Sequence, residues 1–155
     1  MMTQLQCIPA SMWGWNYGIE TSQGTAMVEF KVMKDEGEIV LPQTSYSIEH
    51  PMLSGEWMLK QVTDGKDSMV ARARKPNPLR RKLELTFGTK KLFLQAVSPF
   101  RREFQIRQES QILGRIRPDS FSSRQATIEV DAPLDLRIQL FLFWLTVMLW
   151  RQGAS

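Results

Sequence analysis

The densest chemistry in this chain is cationic. Arg72, Arg74, Lys75, Arg80, Arg81 and Lys82 fall within eleven positions, and Arg101, Arg102, Arg107, Arg115 and Arg117 follow. Guanidinium groups bind phosphate in bidentate fashion, and each Lys or Arg near an anionic membrane contributes about 1 kcal/mol of attraction. The net charge of +4 conceals the asymmetry. Residues 1–65 hold three Lys or Arg against eight Asp or Glu, whereas residues 66–124 hold fifteen against five. The remaining 31 residues hold two against three. A middle segment of net +10 favours phospholipid headgroups, nucleic acid or an acidic protein surface as partner.

Other chemistries find few residues to work with. His50 is the only histidine, so a His-based metal cluster is excluded, and it precedes Pro51 in an expected loop. There is no G-x-S-x-G elbow, Walker loop or dinucleotide fingerprint. Asp35, Glu36 and Glu38 lack EF-hand spacing and read as a solvated hairpin tip. Cys7 is the single thiol, which rules out an internal disulfide and fits a reducing, cytoplasmic compartment. No enzyme, metal or cofactor is expected.

The cations must be carried by strands. Lys82 to Phe87 alternates, with Leu83, Leu85 and Phe87 inward and Lys82, Glu84 and Thr86 outward. Phe104 and Ile106, then Ile112 and Ile116, then Ala126, Ile128 and Val130 continue the inward series. Val28, Phe30 and Val32 share a face earlier. Asp64-Gly65 is a hairpin signal between Glu56–Val62 and Ser68–Arg74, and Ala71 and Ala73 facing inward would turn Arg72 and Arg74 out. Asp35-Glu36-Gly37 reads as a turn, and Pro76, Pro78 and Pro99 break the pattern later. Many short strands at regular spacing predict a barrel or sandwich. Residues 1–25 lack a period and read as an irregular arm, with Trp13, Trp15 and Tyr17 packing it onto a single domain over 26–155 and a membrane-interface role for these aromatics as the alternative.

The last segment differs in kind. Ile138 to Trp150 is apolar on every side of a helix, predicted over 136–151, with Asp131 or Asp135 to cap it and Arg151 at its C-terminal end. Thirteen residues span about 20 Å, short of the roughly 20 apolar residues that a bilayer demands. The helix is therefore expected inside the domain, with a membrane tail anchor as the rival.

The order of these parts resembles the tubby C-terminal-like superfamily, which includes tubby proteins, phospholipid scramblases, LURP-one-related proteins and small bacterial members. The pieces that carry the resemblance are Gly55-Glu56-Trp57-Met58-Leu59, Asp64-Gly65, Val70-Ala71-Arg72-Ala73, Phe100-Arg101-Arg102-Glu103-Phe104, Leu113-Gly114-Arg115-Ile116 and Phe141-Leu142-Phe143-Trp144-Leu145. They run from about residue 26 to 151. The resemblance implies a closed antiparallel barrel of twelve strands around the hydrophobic helix, with phosphoinositide or phospholipid binding as a theme. The cysteine-rich and proline-rich segments of animal scramblases have no counterpart, so scrambling is not expected and no family binding residue is carried over. The combined expectation is a non-catalytic, mainly β module that binds anionic phospholipid through Arg72, Arg74, Lys75, Arg80, Arg81, Lys82, Arg101 and Arg102, peripheral to the membrane. A nucleic-acid-binding or protein-interaction barrel is the alternative.

Overall fold

The structure, a computed structural model, describes residues 2–31, 33–63, 65–77, 81–98 and 101–153. Twelve strands close into one antiparallel barrel: β1 Thr3–Pro9, β2 Tyr17–Thr21, β3 Gly24–Phe30, β4 Gly37–Val40, β5 Ser45–Glu49, β6 Glu56–Thr63, β7 Lys66–Arg74, β8 Lys82–Phe87, β9 Lys90–Ala96, β10 Phe104–Gln108, β11 Gln111–Pro118 and β12 Ala126–Val130. Each strand pairs with its neighbours in sequence, and β1 closes on β12 with Thr3 opposite Val130 and Cys7 opposite Ala126. A single helix, α1 Leu136–Gly153, follows.

Closure and helix explain each other. Interior side chains fill an eight-stranded barrel, and the bore widens with strand number, so twelve strands leave room for a helix. The helix supplies the filling: every residue from Ile138 to Trp150 is buried. Phe143 packs edge-on against Tyr17, and Trp144 stacks on Phe30 with ring centres 4.7 Å apart. The Trp144 Nε1–H donates to the Glu29 carbonyl at 3.1 Å. Gly37 makes that bond possible, since a Cβ there would lie 2.5 Å from Trp144 Nε1 and collide with the same carbonyl. Asp135, not Asp131, caps the helix, accepting from the Arg137 backbone N–H at 2.9 Å. A helix enclosed in this way is not available as a membrane tail. No helix among the described residues is long and apolar enough to cross a membrane.

Several expectations are corrected. Residues 1–25 are not an irregular arm: β1 and β2 are staves of the barrel, and β1 closes its seam. Only Tyr17 of the three aromatics there is buried; Trp15 is half-buried and Trp13 projects into solvent. Ile112 points outward because the pairing of β10 with β11 shifts between Ile106 and Arg107, and Leu113 takes the interior place. Gly37 opens β4 instead of ending a turn. Phe87 is half-buried at the barrel's end, beneath the Arg137 guanidinium. The readings of Val32 and Asp64 fall outside the described residues.

Candidate functional site

Because successive strands run in opposite directions, their connections fall alternately at two ends of the barrel. The connections 10–16, 31–36, 50–55, 75–81, 97–103 and 119–125 share one end, here the upper rim. The helix exits there too: the Trp150 Nε1–H donates to the Arg102 carbonyl at 2.8 Å and Gln152 reaches Asp35 at 3.2 Å.

This geometry gathers the predicted cations. Arg74 ends β7, Lys82 begins β8, and Lys75 and Arg81 lie in the connection between them. Arg101 and Arg102 lie in the β9–β10 connection at the same rim. The two sequence clusters touch, since Arg81 Nη1–H donates to the Arg101 carbonyl at 3.2 Å. Arg72 sits two residues below Arg74 on the outer face, with Ala71 and Ala73 buried as their alternation requires. Arg80 lies outside the described residues.

Their employment differs. Arg102 is built into the scaffold: its guanidinium donates to the carbonyls of Phe121 at 3.1 Å and Ser123 at 2.7 Å, and lies over the Trp150 ring. Arg81 lies over the Phe104 ring, and burial lowers its guanidinium pKa from the ordinary value. The Lys82 ammonium covers Phe93 at 4.7 Å. Arg74 shares Glu84 with Lys91, each at 3.4 Å. Arg72, Lys75 and Arg101 have no ion-pair partner among the described residues. Arg115 and Arg117, by contrast, are paired with Glu103 at 3.5 Å and Glu129 at 2.6 Å.

Register adds a cation that sequence spacing did not single out. Arg72 faces Thr86, and Thr86 faces Lys91, so Lys91 stands in one row with Arg72 across the outer wall. Arg72, Arg74, Lys91, Glu56, Glu84 and Thr86 line a shallow cleft of about 390 Å³. A second cleft of about 420 Å³ lies between Arg101, Arg102, Glu103, Arg117, Ser120 and Phe121. Both are open grooves, but in the second Arg102 and Arg117 are already engaged by backbone carbonyls and by Glu129.

The single thiol and the single histidine are both held within the scaffold. The Cys7 thiol is fully buried, and burial together with Asp119 holds its pKa well above the ordinary value. His50 stacks on Trp57 at 4.2 Å and its Nδ1–H donates to the Glu56 carbonyl at 2.8 Å. No group of His, Cys, Asp and Glu able to hold a metal ion occurs among the described residues.

What fold and wall define is a class: a twelve-stranded antiparallel barrel filled by its own helix, with a cationic outer sector. No protein-family model matches the chain, and neither the curated proteins nor the solved structures yield a match.

Proposed function

We propose that this chain is a non-catalytic module that attaches peripherally to anionic phospholipid surfaces at the cytoplasmic face of a membrane. One observation carries the reading. The barrel brings Arg74, Lys75 and Arg101 to one rim and sets Arg72 and Lys91 in one row on the adjoining outer wall, and among the described residues only Glu84 forms ion pairs with any of them. Several weak attractions of about 1 kcal/mol each then act together on a charged surface. The resemblance to the tubby C-terminal-like superfamily supports the same theme.

Co-sedimentation with anionic and zwitterionic vesicles over a salt series tests it. Binding should require the anionic lipid and weaken as salt shortens the Debye length. Equal binding to both lipids, or to neither, removes the proposal. The site itself is tested by comparing Arg72→Glu/Arg74→Glu with Arg115→Glu/Arg117→Glu, each with an unchanged melting curve. The first pair should lose more anionic binding, because the second is already neutralised by Glu103 and Glu129.

Nucleic acid is favoured by one feature. Phe93 sits half-buried on the outer wall opposite Arg107 and beneath Lys82, a ring beside cations. Tight, salt-sensitive binding of single-stranded DNA without lipid binding would select that reading.

A further inference from the structure

Six large apolar side chains, Met12, Trp13, Met33, Met52, Leu53 and Phe121, are between 81% and 100% exposed. All six stand in connections of the upper rim, spread over four of them. The connections at the opposite rim place no exposed large apolar side chain in solvent among the described residues, and Met2, leading into β1, is about half exposed there. Folding does not call for this arrangement. Met33 and Leu53 adopt left-handed backbone, at φ 68° and 66°, where Gly or Asn is the less strained choice. Each therefore costs conformational energy and gains no burial. The third such non-glycine residue, Glu109, is polar and sits at the opposite rim.

The rim is also held in shape. Arg124 donates to the carbonyls of Ser11 at 2.7 Å and Met12 at 2.8 Å, and also to that of Gly14, fixing the connection that presents Trp13. Arg102 does the same for the connection that presents Phe121. Charge follows the same axis. The upper connections and the helix's last turn carry nine Lys or Arg against four carboxylates in the sequence, and the lower connections and the helix's first turn carry four carboxylates against one cation, Arg137.

We propose that the barrel stands upright on an anionic bilayer, upper rim down, with Trp13, Leu53 and Phe121 inserted at the boundary of headgroups and acyl chains. This rests on the anionic-lipid reading above and adds insertion and orientation to it. A bilayer interface accepts separate Trp, Phe, Leu and Met side chains ringed by Lys and Arg. A protein partner instead needs a contiguous, dry apolar centre, and these tips lie on different connections with cations between them. The surplus of cations over carboxylates is greater in the upper connections than in the lower ones, which favours approach with the upper rim leading.

The test uses the full chain and vesicles of phosphatidylcholine with phosphatidylglycerol. The rim variant Trp13→Ser/Leu53→Ser/Phe121→Ser is compared with Met2→Ser/Ile112→Ser, both with wild-type melting curves. The rim variant should partition about tenfold or more weakly, since three apolar side chains no longer leave water, and the control should bind normally. Lipids brominated near the top of the acyl chain should quench wild-type tryptophan fluorescence, and Trp13→Phe should remove that quenching. At high salt a bound fraction should persist for the wild type and vanish for the rim variant. If the wild type binds anionic vesicles, the rim variant binds equally and no quenching occurs, insertion is overturned while electrostatic attachment stands. If the wild type binds no anionic vesicle at any salt, both fall. A vesicle-free dimer that the rim variant abolishes would make a second copy the occupant and overturn the proposal.

Discussion

Trp144 is where the barrel and its helix are most tightly joined, and a graded series there tests the buried-helix architecture. Its ring is fully buried, stacked on Phe30, with its N–H bonded to the Glu29 carbonyl. Trp144→Phe keeps a ring against Phe30 but strips the Glu29 carbonyl of this donor, at a cost of about 1–3 kcal/mol. Trp144→Ala also opens a cavity and should lose about 3–5 kcal/mol. Trp144→Asp loses the ring and adds a carboxylate in the apolar interior, a further several kcal/mol. That sum reaches the stability of about 5–15 kcal/mol typical of a whole domain, so the Asp variant should not fold. Urea unfolding followed by near-ultraviolet circular dichroism gives the order wild type, Phe, Ala, with no cooperative transition for Asp. A soluble Trp144→Asp variant melting cooperatively near the wild-type midpoint would refute the reasoning, as would a Phe variant no more stable than Ala.

Gly37→Ala drives a Cβ against Trp144 Nε1 and the Glu29 carbonyl and should cost about 1–3 kcal/mol, read as a lower urea midpoint. Gly55→Ala, with open space around it, is the neutral control. Arg137 hydrogen-bonds to Asp135 and holds its carboxyl below the ordinary value of 3.8. A depressed carboxylate stabilises fully above that ordinary value and loses its contribution as the pH falls through the lower folded value. Thermal melts should therefore show Asp135→Asn, which keeps the capping acceptor, less sensitive to acid than the wild type across that window. Cys7, sealed between β1 and β12, should react with a thiol reagent only on unfolding, and labelling of the native protein within minutes would contradict the closed seam.

The sequence disclosed most where one strong period governed a segment. Leu83 and Leu85 alternate with Lys82 and Glu84, and the interior of β8 follows directly. The unbroken apolar run from Ile138 to Trp150, too short for a bilayer, pointed to an enclosed helix, and so to closure. β1 escaped because its outer face includes Ile8, while its inner face offers only Leu5, Cys7 and Pro9, so apolar and polar residues do not alternate cleanly. Ile112 was misplaced because a bulge is set by the pairing of two strands and leaves no local mark. The candidate cations were legible as a cluster, but their division of labour was not. Arg102 is committed to the scaffold by Trp150, 48 residues away, and Lys91 joins Arg72 only through register. The rim had a faint signal: large apolar residues among turn formers, as in Pro51-Met52-Leu53-Ser54-Gly55 and Ser120-Phe121-Ser122.

The seam between β1 and β12 has a consequence for biosynthesis. The first stave made must wait for the last, and the helix that fills the bore emerges later still. On the ribosome, all twelve inner faces are therefore finished before the surface they bury against exists. Nascent chains arrested before Leu136 should remain open to protease along their length and offer apolar surface to chaperones, and resistance should appear in one step once α1 is released. An all-at-once acquisition of structure is what a barrel closed around a helix made after its strands entails.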